Sequence, residues 1–248
     1  KRVGQWLKAG VLEDGVLSET TSGVPQGGVI SPLLSNIYLD ALDSMMEEAG
    51  VAGKLVRYAD DFVVLCRTRQ ECERAEAQIR EVLRVLKLEL HPEKTRRVDL
   101  TDGKEGFDFL GCHLRKRMSG ALLQRKGIRR YYLHRWPSQR SMKRCRSRVR
   151  ELTGARSNAG QDITEVIKKV NPVLRGWGNY FRTGNATAKF IDMDTYVWQK
   201  LLRIKVRQRG RNLRPNTAKR WTREFFYGLG LHRLRGTVRY PQPARVYQ

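Results

Sequence analysis

A pair of adjacent aspartates inside an apolar stretch constrains this chain more than any other feature. The segment from Leu55 to Leu65 reads LVRYADDFVVL. Short apolar runs rich in β-forming residues on both sides predict a β-hairpin with Asp60 and Asp61 at its bend. A solvated Asp-Asp pair normally has polar neighbours, so we expect a half-buried turn. Two like charges there cost free energy unless cations neutralise them.

The same two carboxylates are candidate metal ligands. Hard divalent cations take oxygen ligands, and magnesium is typically held by one or two carboxylates together with substrate phosphates. Asp60 and Asp61 are therefore candidate Mg²⁺ ligands. The alternative is a turn with two solvated acids, which an isolated Asp-Asp pair favours and the flanking β-runs argue against.

Length and composition indicate a globular chain of one large or two ordinary domains, with 248 residues and no run of about 18 apolar residues. We expect no membrane span, no N-terminal signal region and an intracellular, cytoplasmic location. The four cysteines show no CxxC pairing and the four histidines lie far apart. Neither a zinc site nor a disulfide framework is therefore expected.

The net charge of +24 is unevenly placed along the chain. Residues 1–112 carry 15 Lys and Arg against 19 Asp and Glu, whereas residues 113–248 carry 34 against 6. A charge this large repels itself in a compact domain, so its use is to bind a polyanion. Basic residues interleaved with aromatic ones favour nucleic acid over an acidic membrane surface, which would suit an amphipathic helix.

In the first half, local patterns predict an α+β layer from about residue 11 to residue 114 with the order β-α-β-β-α-β. A hairpin around Asp14 and Gly15 leads to the glycine-rich loop 23–28. Ser31 is the predicted cap of a helix with Pro32 at its first position. The expected elements and apolar faces of this half are a first helix ending at Gly50 with Leu34, Ile37, Ala41 and Met45 inward; a second helix begun by a Thr68–Glu71 capping box with Cys72, Ala75, Ile79, Val82 and Leu86 inward; and strands at 88–90, 96–100 and 107–114.

The second half is predicted to be helical after a basic, turn-rich segment from Arg115 to Arg135. A solvated basic helix is expected at 141–152, which offers a surface for phosphate. Asp162 and Glu165 form a second capping-box pattern, and Asn171-Pro172 is expected to kink or restart that helix. The remaining expectations are a helix at 187–209 with Phe190, Tyr196, Val197, Leu201 and Ile204 inward, and an irregular basic tail with an apolar cluster of Phe225, Phe226, Tyr227 and Leu231.

Four motifs stand in the order and spacing of the palm motifs of group II intron reverse transcriptases: VPQGGVISPL at 24–33, RYADD at 57–61, EKT at 93–95 and FLG at 109–111. Downstream, NPVLRGWGNYF at 171–181 resembles the maturase-specific thumb segment of that family, also called domain X. GLHRLRGTVRY at 230–240 resembles its C-terminal end. Tyr-Ala-Asp-Asp occurs in many reverse transcriptases, but with the Trp177 segment it indicates intron-encoded proteins rather than retrons or retroviruses.

The resemblance implies an α+β fold with two domains. Residues 1–114 would be a partial right-hand polymerase palm, an antiparallel sheet with helices on one face, and residues 115–248 an all-α basic thumb or maturase domain. It implies RNA-templated DNA synthesis by a two-metal mechanism with Mg²⁺, and binding of the parent intron RNA that assists splicing and retrohoming of a mobile element. The implied partners are group II intron RNA, an RNA template with a DNA primer, dNTP and target DNA.

The resemblance also implies roles for single residues. Asp60 becomes a magnesium ligand and Asp61 its partner, and both become catalytic residues. Lys94 is implied to lie near the triphosphate. The residues expected beside template, primer or nucleotide are Tyr58, Ala59, Pro25, Gln26, Gly27, Lys94, Leu110 and Gly111. The residues expected to bind RNA in the thumb are Lys143, Arg144, Arg146, Arg148, Arg175, Trp177 and Tyr180. For Trp177, Tyr180 and Phe181, stacking on unpaired bases and packing between helices both stay open.

The chain departs from the family pattern in one respect. The family has fingers and an upstream palm strand whose aspartate bridges both metals, and nothing before Gly23 matches it. We therefore expect a fragment or a truncated reading frame that needs the missing N-terminal fingers and palm segment for catalysis. The endonuclease pattern of some members is also absent.

Two further functions compete with the polymerase. One is a non-catalytic RNA-binding maturase module that keeps the palm as a scaffold. The intact Tyr-Ala-Asp-Asp motif argues against it, whereas the missing upstream aspartate favours it. The other is a basic structural protein of the ribosome or chromatin, which the ordered palm motifs disfavour.

Overall fold

The chain folds into helices and small antiparallel sheets, which is the predicted α+β class. A computed structural model describes residues 5, 11–13, 16–18, 30–51, 53–154, 160–209 and 217–240. The strands are β1 (Val11–Glu13), β2 (Val16–Ser18), β3 (Lys54–Tyr58), β4 (Asp61–Leu65), β5 (Gly106–Phe109), β6 (Cys112–Met118) and β7 (Tyr131–Pro137). The helices are α1 (Ser31–Glu48), α2 (Arg69–Val85), α3 (Gly120–Lys126), α4 (Gln139–Gly154), α5 (Ile163–Phe181), α6 (Thr187–Arg209) and α7 (Arg223–Gly228), with a 3₁₀ turn at Thr217–Arg220.

The chain divides into two compact units, Lys1–Arg97 and Val98–Gln248. The boundary follows the packing of the chain: β5 and β6 lie in the second unit because they form one sheet with β7. The domain boundary expected between residues 114 and 115 stays a prediction. In the described part of the chain, no helix combines the length and apolar composition that crossing a bilayer needs.

The centre of the first unit is the predicted hairpin. β3 and β4 pair antiparallel with Tyr58 opposite Asp61, so that Ala59 and Asp60 form a two-residue turn. Helices α1 and α2 cover one face of the hairpin and bury Leu42 and Ile79 in a small apolar core. The predicted capping box is confirmed, because the Thr68 side chain accepts from the Glu71 N–H while the Glu71 carboxylate bonds back to the cap.

The predicted apolar face of α1 is wrong. The helix is capped by Ile30, one residue earlier than expected, without a side-chain hydrogen bond. Its buried residues are Leu39, Leu42 and Met46, whereas Ile37 is 56% exposed. Apolar residues occur around most of this helix, so periodicity alone did not select the buried stripe.

Two predicted strands of the first half are not formed. Segments 88–90 and 96–100 have no ladder partner in the residues that the structure describes. Leu88 and Leu90 instead pack against the small core as irregular chain. A turn intervenes, in which the Thr95 N–H donates to the His91 carbonyl at 2.9 Å.

The segment from Phe107 to Arg135 also differs from prediction. The expected single strand 107–114 is two strands, β5 and β6, joined by a turn at Leu110 and Gly111. The segment expected to be turn-rich continues β6, adds α3 and begins β7, which pairs along the whole of β6. Its many arginines and lysines hid the strand signal, although YYLHRW at 131–136 consists largely of β-forming residues.

From Gln139 onward the described elements are helical. Helix α6 has the predicted bounds, with Phe190, Val197, Leu201 and Ile204 buried and Tyr196 partly buried. Helix α5 runs unbroken through Pro172, so the expected restart is wrong. Asp162 caps α5 by accepting from the Thr164 N–H at 3.2 Å, while Glu165 forms an ion pair with Lys168 rather than completing a capping box.

The two C-terminal motifs lock onto each other in the core of the second unit. The Asn171 amide donates to the Gly230 carbonyl at 2.8 Å and accepts from the His232 N–H at 2.8 Å. The buried Asp194 carboxylate accepts from the N–H groups of Leu234 and Arg235 at 3.1 and 2.9 Å. These bonds satisfy buried polar groups, and they join α5 and α6 to a tail that was expected to be irregular.

Several predicted features lie outside the described residues. They are Asp14, Gly15, the loop 23–28 and Gly210, and most of segment 1–10.

Candidate functional site

The turn that carries Asp60 and Asp61 is on the surface. Both aspartates are exposed, and Tyr58 beside them is 66% exposed. The expectation of a half-buried turn is therefore wrong. Because water screens the two charges, their proximity costs less free energy than it would in a buried turn. Exposure instead leaves both carboxylates accessible to a ligand.

An ion pair between Arg57 and Asp43 supports this turn. The Arg57 Nε donates to the Asp43 carboxylate on α1 at 2.8 Å, and its Nη2 forms an ion pair with the same group. The Arg57 side chain is only 14% exposed, and its bond with Asp43 raises its pKa above the ordinary value. The Arg57 Nη1 donates to the Ala59 carbonyl at 3.0 Å. The guanidinium thus ties helix and turn together.

Ala59 needs this support because its backbone is in the left-handed region, with φ +53°. For a residue with a Cβ, this conformation costs roughly 1–2 kcal/mol. A fixed Ala59 in turn determines where Asp60 and Asp61 emerge from the hairpin. We infer that Arg57 and Ala59, as well as the two aspartates, determine the geometry of the site.

The turn presents two accessible carboxylates, which are groups of the kind that hold a divalent cation. Two accessible carboxylates on a rigid hairpin suit Mg²⁺, which is commonly held by one or two carboxylates plus substrate phosphates. Among the described residues, no group of three or more His, Cys, Asp or Glu side chains converges to hold a metal ion. The donor set fits a metal that also takes ligands from its substrate.

The other palm residues named from sequence are placed as follows. Lys94 is exposed in the turn after His91. Pro25, Gln26 and Gly27 lie outside the described residues. Their expected roles, like those of Tyr58 and Ala59, stay predictions.

The Leu110–Gly111 turn is anchored on the helices of its own unit. Both residues have positive φ, +48° and +72°. The Leu110 carbonyl accepts from the Tyr180 hydroxyl at 2.9 Å, and the Gly111 carbonyl accepts from the Ser138 N–H at 2.9 Å. A Cβ at Gly111 would lie 2.9 Å from the Ser141 Oγ, so only glycine fits this approach without a shift. Two hydrogen bonds thus fasten this turn to α5 and to the residue before α4, and its expected contact with a primer stays a prediction.

Helix α4 presents the predicted basic face. It buries Met142, Cys145 and Val149, which leaves Lys143 and Arg144 exposed on the opposite side. Neither of these two cations has an acidic partner within the described residues. Their positive charge is therefore available to an anion.

The other two predicted cations of α4 have partners. Arg148 forms an ion pair with Glu151 at 2.8 Å. Arg146 is partly buried, with its guanidinium carbon 5.7 Å from the centre of the Tyr196 ring.

Sequence reasoning missed a second cationic stripe, on α6. Tyr196, Lys200, Arg203 and Arg207 follow one another at helical spacing, a signal that was present in the sequence. The Lys200 Nζ lies 5.4 Å from the centre of the Tyr196 ring. Burial, and then the charges of Arg203, Arg150 and Arg207, lower the pKa of Lys200 below its ordinary value. Cations that repel one another in this way are stabilised when a phosphate lies between them.

The three aromatic residues of the 171–181 motif differ in exposure. Phe181 is buried, and Trp177 packs against it and Phe190 with ring centroids 5.1 and 5.4 Å apart. Packing between helices thus describes these two rings. Tyr180 is 58% exposed, although its hydroxyl is bonded to Leu110. RNA contact by Tyr180, Trp177 and the exposed Arg175 stays a prediction.

Two family models match separate parts of the chain. Residues 5–114 match the family described as "Reverse transcriptase (RNA-dependent DNA polymerase)", which includes the Asp60 turn. Residues 142–223 match "Group II intron, maturase-specific domain", which includes α5, α6 and most of α4.

Two relatives are similar over part of the chain. Protein YkfC of Escherichia coli (strain K12) is 34% identical over 146 residues, covering 46% of this chain and 38% of that protein. Group II intron-encoded protein LtrA of Lactococcus lactis subsp. cremoris is 28% identical over 181 residues, covering 48% and 30%. The chain thus spans about a third of the length of these curated relatives.

Proposed function

Since the chain belongs to the group II intron reverse transcriptase and maturase family, we propose that it contributes the carboxylate turn of an RNA-directed DNA polymerase and an RNA-binding maturase surface. The observation that carries the first part is the accessible Asp60–Asp61 turn braced by Arg57. The substrates proposed are an RNA template with a DNA primer, and dNTP.

In this proposal each residue of the turn has a distinct task. Asp60 and Asp61 hold Mg²⁺, and Arg57 fixes the backbone from which they project. Mg²⁺, when bound, supplies charge stabilisation to the attacking and leaving oxygens of the phosphoryl transfer. The exposed Tyr58 ring lies beside the turn, where it can contact a primer terminus. The turn positions substrate through the cation, because its own charge repels phosphate.

Primer extension tests the assignment of Asp60. The test uses a polypeptide that joins an upstream palm carboxylate and fingers to this chain. In it, Asp60→Asn should lower the extension rate roughly a thousandfold or more, where each tenfold loss of rate corresponds to about 1.4 kcal/mol of activation free energy. Glu89→Gln, at an exposed acid of the same unit, is the matched control and should leave the rate unchanged. Near-normal extension by Asp60→Asn would contradict the assignment and favour the palm as a scaffold.

The 248-residue chain itself provides a second test. The resemblance places another metal-bridging aspartate upstream, so we expect labelled primer on an RNA template to stay unextended with this chain, Mg²⁺ and dNTP. Clear extension would show that these residues contain a complete metal site.

The second part of the proposal concerns RNA. Unpaired cations of α4 and the mutually repelling cations around Lys200 form a surface suited to phosphates. The proposed partner is group II intron RNA. Its binding would assist splicing and retrohoming into target DNA. Filter binding of intron RNA to the wild-type chain tests this directly: no binding at low salt would contradict it.

A further inference from the structure

The sheet β5–β6–β7 has two faces of different character. Its register places His113, Arg115 and Arg117 of β6 directly opposite Trp136, His134 and Tyr132 of β7. Because paired residues of an antiparallel ladder share a face, these six side chains lie on one side. We call this side the aromatic face. The opposite side carries Cys112 and Leu114, which pack against the helical core of the unit.

The rings of the aromatic face are arranged in a row with cations. His113 and Trp136 have ring centroids 5.0 Å apart, and the Arg117 guanidinium carbon lies 5.0 Å from the centre of the Trp136 ring. Arg130, just before β7, is 5.5 Å from the centre of the Tyr132 ring. Tyr132 is 44% exposed, and neither Tyr132 nor Trp136 belongs to the apolar core formed by the described residues.

The charge of this region is strongly positive. Residues 112–137 contain eight Lys and Arg and no Asp or Glu. Asp108, on β5, is the carboxylate that the register adds to the aromatic face, and it lies 2.6 Å from the His113 Nδ1. The register thus sets one carboxylate against Arg115, Arg117 and Arg130, so the charge beside the rings stays positive.

We propose that the aromatic face binds an unpaired segment of RNA, with bases stacked on Tyr132 and Trp136 and phosphates beside Arg117 and Arg130. Tyr132 is exposed and Trp136 is partly buried. Accessible rings interleaved with arginines are the combination that recognises single strands, because every base has a π-face and arginine planes also stack. A duplex hides its base faces, so it cannot use the rings.

The choice of RNA rests on the proposed function. The sheet belongs to the same compact unit as the maturase-specific match at 142–223, and shares its apolar core through Cys112 and Leu114. The surface differs from the α4 and α6 stripes, which consist mainly of cations for phosphate. The aromatic face would add contacts to RNA bases, whereas the α4 and α6 stripes would contact the RNA phosphate backbone.

Matched substitutions on the two faces of β7 test this inference. Tyr131 and Tyr132 are adjacent and similarly exposed, at 39% and 44%, but point to opposite faces. With a fluorescent oligoadenosine of about a dozen nucleotides, Tyr132→Leu and Trp136→Leu in the full chain should each weaken binding roughly 5- to 100-fold. Tyr131→Leu should change it less than about twofold. The dependence on salt should stay as in the wild type, because no charge is removed.

A photocrosslink keeps the test decisive if a variant folds poorly. The wild-type chain is irradiated with the same oligonucleotide carrying one 5-iodouridine, and adducts are mapped by mass spectrometry. Adducts at Tyr132 or Trp136 are expected. The inference would be overturned by adducts confined to α4 and α6, or by tighter binding of oligodeoxyadenosine than of oligoadenosine. It would also be overturned if the Tyr132 and Trp136 variants bound oligoadenosine as tightly as the wild type.

These outcomes are separable from failure of the proposed function. If the wild-type chain binds intron RNA but the face variants bind oligoadenosine normally, the maturase proposal stands and the aromatic face is wrong. If the wild-type chain binds neither RNA, both are wrong.

Discussion

The two compact units differ most in charge. Residues 1–97 carry 14 Lys and Arg against 15 Asp and Glu, whereas residues 98–248 carry 35 against 10. The nearly neutral unit presents Asp60 and Asp61 at one exposed turn, and the basic unit carries its cations on helices and a sheet. In the proposed function this difference separates chemistry from attachment, because an acidic turn that approaches phosphate needs a cation whereas a basic surface binds it directly.

Two tight turns sharpen this comparison. Ala59 and Leu110 both have positive φ without being glycine, and each carbonyl accepts from a side chain, that of Arg57 or Tyr180. The first turn projects its acids to the surface, while the second is packed on the helices of its unit. Similar backbone geometry therefore exposes two acidic groups in one unit and fastens a turn to helices in the other.

The largest expected effect concerns salt. If RNA neutralises about 6 to 10 cations of the basic unit, raising salt from about 50 to about 200 mM should weaken binding of structured RNA by roughly 10³- to 10⁵-fold. Fluorescence anisotropy at several salt concentrations gives the slope. A flat slope would show that charge does not govern attachment and would break the comparison.

A pair of glycines on α5 tests how tightly the basic unit is locked. A Cβ at Gly178 would lie 2.6 Å from the Leu234 side chain, which is fully buried. Gly178→Ala should therefore lower the free energy of unfolding by about 1–3 kcal/mol. Gly176→Ala, with no neighbour among the described residues within 4 Å, should raise it by about 0.5–1 kcal/mol. Thermal unfolding of both variants measures this, and equal shifts would contradict the interlock.

The corresponding test in the first unit removes the Arg57 brace. Arg57→Ala leaves Asp43 and the Ala59 carbonyl without their donor, so amides of β3 and β4 should open about 1.5–3 kcal/mol more easily by hydrogen exchange. Arg69→Ala is the control, because its bond with Glu73 is exposed and should contribute less than about 1 kcal/mol. Equal effects would mean that the turn does not depend on the brace.

The smallest effect is a titration. Because burial and three neighbouring cations lower the pKa of Lys200, bound phosphate should raise it, and RNA binding should weaken as pH rises through that pKa. NMR of the lysine side chains with and without RNA measures the change. Lys168, whose bond with Glu165 already raises its pKa, serves as the control. An unchanged Lys200 in the saturated complex would place the RNA elsewhere.

What the sequence predicted was mostly local. The hairpin, the Thr68–Glu71 box and the bounds of α6 depend on neighbours within a few residues, and the structure confirms them. The buried stripe of α1 was missed because apolar residues surround that helix. The exposure of Asp60 could not be read either, since it depends on what packs around the turn.

The remaining misses are long-range. Nothing in the spacing of Asn171 and Asp194 shows that they bond to residues 230–235, because those partners are about 40 to 60 positions away. The pairing of β7 with β6 was hidden by charge, although its aromatic residues were visible. The aromatic face follows from that pairing and could not be proposed without it.

The most direct test of the division between chemistry and attachment measures two activities on two variants. In the polypeptide that carries the upstream palm carboxylate, Asp60→Asn should lower primer extension about a thousandfold and leave intron RNA affinity within about twofold. Lys143→Gln with Arg144→Gln should weaken RNA binding, reduce the salt slope by about two, and leave extension at saturating primer and template unchanged. A loss of RNA affinity in Asp60→Asn as large as in the double variant, or normal extension by Asp60→Asn, would contradict the account.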